Sequence, residues 1–467
     1  MENKMNKQLK VTINGKTVLA PAGTVLSDLL DIEKPCGGRG TCGKCKVKVC
    51  GEEKLACRYI IESDIDVQTY EKSAIISETG ISESGSASGK LCFALDIGTT
   101  TLALALVSLD EKKTVKVITA TNPQRAYGAD VITRIDYSQK NSVKELQSVL
   151  INEINRMIAE FNVGCLENMY VSANVTMLHT LFGIDPSSIG VAPYTPVFLE
   201  SKTEQAESIG ICGVKTVISL PSVASFVGAD IVAGLGLVGV PEEGKYDLLV
   251  DLGTNAEVVL FSNKSGVATA AAAGPCFEGA NISCGMSATK GAIYSFRLDY
   301  GNVTYQTIAD EKAVGICGTG LIDIITELLR NEIIDETGYM DDDYELADGV
   351  CLSTDDVRQY QLAKSAVCSA IISLMKTEGV DFDDISHMYI SGGFSSKINI
   401  QNAVNSGLLP RELTDKTVAL NNSSLQGTVK YAIEGNDLDS LTQMINYVDL
   451  SANKYFTDLF VENMMFE

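Results

Sequence analysis

Four cysteines stand close together near the start of the chain: Cys36, Cys42 and Cys45 in the run CGGRGTCGKC, and Cys57 in LACR. Their spacing is C-x5-C-x2-C, with the fourth thiol after eleven further residues. An iron–sulfur cluster needs four thiolates converging on a compact core, and plant-type 2Fe-2S loops use a related spacing, three ligands in one loop and a fourth at a distance. Gly37, Gly38, Gly40 and Gly43 let such a loop fold closely and turn backbone N–H groups toward the sulfurs. Structural zinc also takes four thiolates, but usually as two C-x2-C knuckles, and here there is one short pair. Buried, unligated thiols are the remaining alternative. Cys50, in a strand-like run five residues after Cys45, is a weaker fourth ligand than Cys57.

The second set of chemical residues is a repeated turn. Asp96-Ile97-Gly98-Thr99-Thr100-Thr101 and Asp251-Leu252-Gly253-Thr254-Asn255 each follow an apolar run. At a strand end such a turn offers backbone N–H groups and hydroxyls to phosphate oxygens, while the Asp holds a hydrated Mg2+. Two of them facing each other clamp a triphosphate. Asp96 and Asp251 are therefore assigned to Mg2+, and Thr99, Thr100, Thr254 and Asn255 to phosphate. Glu257 follows the second loop by alternation along its strand and is a candidate to orient the attacking water; a hydrogen-bond acceptor elsewhere in the cleft is the equal alternative. Ser391-Gly392-Gly393 closes a later strand and lets backbone approach an adenosine where a side chain would clash. The loops are neither a Walker A motif nor a dinucleotide GxGxxG in the required strand-to-helix context.

The elements that must position these groups are legible as a duplication. LCFALDIGTTTLALALV (91–107) and YDLLVDLGTNAEVVLF (246–261) share an apolar strand, the Asp turn and a second strand. Each is followed, after a helical stretch, by a further matching pair, NMYVSANVTM (168–177) and HMYISGGFSS (387–396). Internal repetition of this kind predicts two copies of one α/β unit across a cleft. The small residues of Gly228-Ala229-Asp230 and Gly318-Thr319-Gly320 suit either plain helix packing or helices that cross tightly at a hinge between the lobes, and Gly318 counts among the cofactor-binding candidates. Ahead of the duplication, LKVTINGKTVLA places Asn14-Gly15 between two β-prone runs, a strong hairpin signal. TVLSDLL reads as a short helix, and LACRYII and IDVQTY as strands, a small mixed sheet of the β-grasp kind.

The 467 residues carry 37 Lys plus Arg against 60 Asp plus Glu, a net charge of −23, which repels nucleic acid and anionic membrane. That charge is unevenly placed. Before about residue 75 there are 12 basic and 10 acidic side chains, net +2, and after it 25 and 50, net −25. Between them ETGISESGSASGK (78–90) has linker composition. The expected organisation is 1–77, a 2Fe-2S domain; 78–90, a linker; and 91–467, a nucleotide-binding region with lobes at about 91–245 and 246–467. The start MENKMNKQLK lacks the apolar core of a signal peptide, and the most apolar window, 218–240, holds Asp230, Pro221 and several Gly, so a buried strand and helix are expected there rather than a membrane span. Thirteen scattered cysteines fit a reducing, cytoplasmic setting.

The paired loops with the Gly-Gly turn resemble the superfamily of actin, Hsp70 chaperones, and acetate and sugar kinases. CGGRGTCGKCKVKV with LACR, NPQRAYGADVITRI (122–135), SANVTMLHTLFGIDP (172–186), PSVASFVGAD (221–230) and GPCFEGANISCGMSA (274–288) resemble, more narrowly, the ATP-dependent reductive activators of corrinoid proteins. The resemblance implies a β-grasp ferredoxin domain followed by a duplicated RNase H-like, actin-like ATPase of two lobes. It implies a 2Fe-2S cluster, ATP and Mg2+ as cofactors, a corrinoid protein of a methyltransferase system as partner, and an upstream electron donor such as a ferredoxin or flavoprotein. The implied task is to carry cobalt(II) to cobalt(I) with ATP. A plant-type cluster sits near −400 mV, and each further ~59 mV costs about 1.4 kcal/mol for one electron. The chain departs from the family in its short spacing before Cys57 and in a linker of about fifteen residues where an extra domain often stands. Two other classes fit the parts: a redox-sensing, ATP-switched regulatory protein, and a small-molecule kinase with a redox accessory. Asp130 and Arg134, one helical turn apart, form either a surface pair or part of the cleft. His179 and His387, with no evident acid partner, and Cys276 and Cys284 read as structural.

Overall fold

The computed structural model describes residues 8–30, 32, 40, 45–69, 89–128, 130–393, 395–451 and 453–466. Cys36 and Cys42 lie outside these residues, so the first half of the expected cysteine loop has no structural counterpart below.

The N-terminal region forms a five-stranded sheet in the order Lys16–Pro21, Gln8–Ile13, Ile65–Gln68, Lys46–Val49, Glu52–Leu55. Asn14 and Gly15, both at positive φ, make the expected tight turn between the first two strands, which pair antiparallel from Ile13–Lys16 outward. Strand Gln8–Ile13 runs parallel to Ile65–Gln68. Leu9, Val11, Leu26, Val47, Ile61 and Val67 fill one small core, and Cys45 and Cys57 are buried in it. Two local expectations differ. TVLSDLL yields only a four-residue 3-10 turn, Leu26–Leu29. LACRYII is a strand only up to Leu55, after which Ala56–Arg58 turn as a 3-10 helix. The apolar run there serves the core from a turn, which alternation alone does not reveal.

The remaining chain builds two six-stranded sheets of one plan. The first is ordered Thr203–Gln205, Val214–Ser219, Leu166–Ala173, Leu91–Ile97, Thr101–Ser108, Lys113–Thr121; the second Thr417–Ala419, Ile385–Ser391, Tyr246–Leu252, Ala256–Phe261, Gly266–Ala271, Ile445–Tyr447. In each, three antiparallel strands lead and a later strand joins parallel to the first. The leading strands, Leu91–Ile97 and Tyr246–Leu252, have the same burial pattern and are almost continuously apolar because both sheet faces are covered. Helices Val143–Ala159 and Val175–Leu181 cover the first sheet, with Leu150, Ile154 and Leu178 in its core. The second lobe inserts the strand pair Ala292–Asp299 and Asn302–Thr307 and packs helices Gly318–Arg330 and Thr354–Glu378 into its own core.

Two helices connect the lobes by exchange. Ala229–Val238 follows the first sheet in the chain, yet its Ile231 and Leu235 pack on Leu249 and Val259 of the second. Ser423–Glu434 follows the second sheet, yet its Leu425 packs on Cys92, Ala94 and Ala103 of the first. The two cross at Gly427, where a Cβ would lie 1.9 Å from the Ala233 carbonyl oxygen. Of the two readings of Gly318-Thr319-Gly320, plain packing is the one observed. Gly318–Arg330 lies against its own lobe: a Cβ on Gly320 would lie 2.1 Å from Ile293 O, and one on Gly318 2.3 Å from Phe277 O.

Candidate functional site: two phosphate loops at the lobe junction

The duplicated frame sets the duplicated loops. Asp96 ends its strand directly beside Ser172 on the parallel neighbour, and Asp251 stands beside Ser391 in the equivalent pair. In each loop the glycine amide closes the turn, Gly98 N donating to Thr101 O (2.9 Å) and Gly253 N to Asn255 O (3.0 Å). Strand pairing resumes at Ile97–Leu102 and Leu252–Ala256, so the first loop is one residue longer.

Helix Ser423–Glu434 joins both carboxylates at its N-terminus. Ser424 Oγ donates to Asp96 Oδ1 (2.8 Å) and Asn422 Nδ2 to Asp96 Oδ2 (3.1 Å). Ser424 and Thr428 also bond Ser172 Oγ, at 2.8 and 2.7 Å. Ser423 bonds Ser391, whose hydroxyl favours the charged form of the neighbouring Asp251. Asp96 is thus held directly by Ser424 at the helix start, while Asp251 stands behind the pair Ser391 and Ser423.

The carboxylates crowd together. Poor solvation in the cleft pushes the Asp96 carboxyl up to about 6, with Asp251 adding to the rise. The same cause, with Asp251 and Asp96 as further contributors, pushes Asp230 up to about 7. Asp251 is raised by desolvation, and Glu257, directly across the strand pair from Asp251, is raised well above the usual carboxylate range by desolvation and by Asp251 and Asp230. The side chains bonded to Asp96 are neutral, and among the described residues no three His, Cys, Asp or Glu side chains gather closely enough to hold a metal ion directly. Asp230, read from the sequence as part of helix packing or a hinge, lies in this acidic group, and Gly228 before it admits no side chain: a Cβ would lie 2.6 Å from Asn174 Cα.

Behind the first loop stands a buried cation. Arg134 is fully buried, its Nε donating to Gly128 O (3.0 Å), its terminal nitrogens to Gln124 Oε1 (3.3 Å), Met177 Sδ (3.2 Å) and Thr99 O. Burial pulls its guanidinium down to about 9. Asn122, also fully buried, donates its side-chain amide to Gly98 O (2.8 Å) and its backbone N–H to Thr100 O (2.9 Å). Asp130 caps helix Val131–Lys140 in a capping box with Thr133, so the two residues part company: Asp130 starts the helix and Arg134 points inward to the loop.

Around the second loop, Thr254 Oγ1 donates to Glu278 Oε2, and Gly274 N to Thr254 O (2.9 Å). Gly392, at φ +114, packs its backbone on this loop, since a Cβ would lie 2.2 Å from Leu252 O, while Gly393 faces open space. The Gly-Gly turn therefore supports the loop as well as offering a bare approach. Gly318 packs on the Pro275–Glu278 turn beside it. The site residues that sequence reasoning missed are Asp230, Glu278, Arg134 as a loop support, and Asn422, Ser423 and Ser424. Continuing the duplicated register past the fifth strand would have found the last three, for they stand where PSVASFVGAD stands in the first copy.

In the N-terminal sheet, Cys45 and Cys57 bring their Sγ atoms to 3.1 Å in the buried core. Two soft donors converging from different segments fit half of a four-thiolate cluster site. Cys50 is exposed in the turn after Lys46–Val49, at φ +50, and takes no part in that convergence. His179 is structural, accepting from Val197 N (3.0 Å), bonded to Val175 O (2.8 Å) and stacked on Phe198. His387 does have an acid neighbour, Asp247 Oδ1 at 3.4 Å, remote from the loops. Cys276 is buried, and Cys284 faces Cys351 at 3.9 Å.

Two exchanged lobes with facing Asp-x-Gly-Thr loops define an ATPase of the ASKHA class. Family models agree: one described as the RACo middle region matches residues 91–243, and one described as the C-terminal domain of RACo, the ASKHA domain, matches 245–467. The chain belongs to this family, the reductive activators of corrinoid proteins. It is 26% identical to the corrinoid activation enzyme RamQ of Eubacterium limosum over 80% of this chain and 70% of that one. It is 25% identical to a [Co(II) methylated amine-specific corrinoid protein] reductase of Methanosarcina barkeri, over 75% and 71%. A solved structure of a reductive activator for corrinoid, iron-sulfur protein superposes with a TM-score of 0.73 at 26% identity, covering 98% of both chains. Among the described residues no helix is long and apolar enough to cross a membrane.

Proposed function

We propose that this chain is the ATP-dependent reductase that returns an inactive cobalt(II) corrinoid protein to cobalt(I), reactivating a methyltransferase system. The observation that carries the reading is the pair of carboxylates, Asp96 and Asp251, wired through serines to one exchanged helix in a member of the corrinoid-activator family. In this reading Thr99, Thr100, Thr254 and Asn255 hold the phosphates and Asp96 and Asp251 a hydrated Mg2+, whose charge would favour the ionised carboxylates that burial disfavours. Gly392 keeps the second loop's backbone in place. Glu257, held beside Asp251, orients water.

Domain limits of 1–77, 78–90 and 91–467 accompany this function, the first being a β-grasp ferredoxin-type domain. Cys36, Cys42, Cys45 and Cys57 would hold a 2Fe-2S cluster, which supplies one-electron chemistry when bound. A cytoplasmic protein of this kind draws on a reduced ferredoxin or flavoprotein. The near-neutral N-terminal region would meet that donor, because the strongly acidic remainder repels acidic partners.

The test mixes reduced protein, Mg-ATP and a cobalt(II) corrinoid protein and follows the cobalt(I) spectrum. Formation of cobalt(I) is expected only with ATP, and is expected to vanish in Cys57→Ser while ATP hydrolysis persists. Undiminished reduction by Cys57→Ser, or reduction indifferent to ATP, overturns the reading.

A further inference from the structure

The second phosphate loop already holds an anion of the protein's own. Thr254 donates its hydroxyl to Glu278 Oε2, its backbone amide also favours the charged form of that carboxylate, and Glu278 Oε1 lies 3.9 Å from the position a Cβ would take on Gly253. These are the donors that an Asp-x-Gly-Thr turn offers to phosphate. The carboxylate is not there by accident of a loose side chain. Glu278 ends the turn Pro275–Glu278, which is anchored on the loop by Gly274 N to Thr254 O (2.9 Å). It is closed by Gly279 at φ +78, where a Cβ would lie 2.3 Å from Met286 N, and braced by Gly318 against Phe277. The turn can hardly shift as a body, so the side chain's torsions are what remains to move.

Among the described residues the first loop has no counterpart. There Thr99 Oγ1 accepts from the neutral Asn174 Nδ2 (3.2 Å), which leaves its own proton to give, and its carbonyl is taken by Arg134. Burial raises the Glu278 carboxyl, while Thr254 and Arg125 of the opposite lobe favour its charged form.

We infer that Glu278 is a positioning residue that occupies the phosphate place of the second loop and must be displaced when a nucleotide's phosphates engage Thr254. The inference rests on the nucleotide reading of the cleft. A carboxylate and a phosphate oxygen compete for the same N–H and O–H donors and repel each other by charge, so the free protein is self-capped in one loop and open in the other. The cap makes the second lobe's grip conditional: phosphate is held first by loop one, and closure costs the release of Glu278.

The experiment is titration of Mg-ADP and, separately, adenosine onto wild type, Glu278→Gln and Glu278→Ala, using the full chain. Both variants are expected to bind Mg-ADP more tightly, by about tenfold for the loss of one charged competitor, with adenosine affinity unchanged because it carries no phosphate. A merely structural role would weaken both ligands. Should the Ala variant fail to fold, the isosteric Gln variant still decides. Mg-ADP affinity equal to or weaker than wild type in Glu278→Gln, or equal tightening of adenosine, overturns the inference while leaving the nucleotide site standing. Failure of wild type itself to bind either ligand overturns the site reading and this inference together.

Discussion

The two phosphate loops sit in the same place on the same sheet and are dressed differently. In the first lobe Asp96 faces Ala103 across the strand pair, and the loop is backed by the buried guanidinium of Arg134 and the amides of Asn122 and Asn174. In the second, Asp251 faces Glu257, and the loop's threonine meets Glu278. Duplication has kept the backbone that points the turn and changed the charge of what stands behind it. One lobe is built to receive an anion at once, and the other must first rearrange carboxylates or gain a cation.

The largest expected effect probes what the loops share. Asp96→Ala and Asp251→Ala should each lower Mg-ATP hydrolysis by about 100-fold or more, a loss typical of removing a group that stabilises developing charge. Steady-state phosphate release measures it, and a variant of either lobe that keeps wild-type turnover would break the equivalence. Next comes the crossing that lets the lobes act together. Gly427→Ala puts a methyl against Ala233 O and should cost about 2 kcal/mol of stability, the usual scale of overpacking; denaturant unfolding reads it.

The difference between the loops is sharpened by Arg134→Met. It strips the first loop of its only described arginine support and should raise the KM for ATP about tenfold, as expected for a charged hydrogen bond worth ~1.4 kcal/mol. Arg134→Lys should not rescue it, because a single ammonium cannot span Thr99, Gly128 and Gln124. Equal KM in all three proteins would mean that the cation is packing alone. The smallest effect concerns the acidic side. A carboxyl raised in the folded state destabilises the fold when ionised, and that penalty lifts as pH falls through the folded value. With Asp230 near 7, nucleotide-free protein should gain about 1 kcal/mol between about pH 7.5 and 6, and Asp230→Asn should flatten that gain. Thermal unfolding across that interval, with and without Mg2+, checks it; a stability that falls on acidification over the same range would contradict the crowding.

Much of this frame is written locally and is therefore readable in the chain. Each Asp turn lies between apolar runs long enough to be strands, and repetition removes the ambiguity of either alone. Asn14-Gly15 is a turn for reasons contained in those two residues. Cys45 and Cys57 are legible by residue type and spacing, and their Sγ atoms lie 3.1 Å apart. The other features are tertiary. Arg134 looks like an i,i+4 partner of Asp130 until the capping box claims Asp130 and packing turns the arginine inward. Glu278 acquires meaning only from the hydroxyl of Thr254, and Asp230 only from Asp96 and Asp251, all distant from them in sequence. Helix Ser423–Glu434 contains a glycine in its middle, which reads as a weak helix until one sees that Ala233 leaves no room for anything larger.

That contact has a mechanical consequence. Helices exchanged between two bodies and touching backbone to backbone cannot slide along each other without collision, but they can rotate about the point of touch, as the blades of shears do about a rivet. Asp96 is tethered and Asp251 linked through serines within one helical turn of that axis, so the loop end of the cleft changes little as the lobes swing. The far ends of the sheets travel most. A partner protein gripping those outer edges would feel every nucleotide step as a change of distance, while the loops at the pivot stay nearly still.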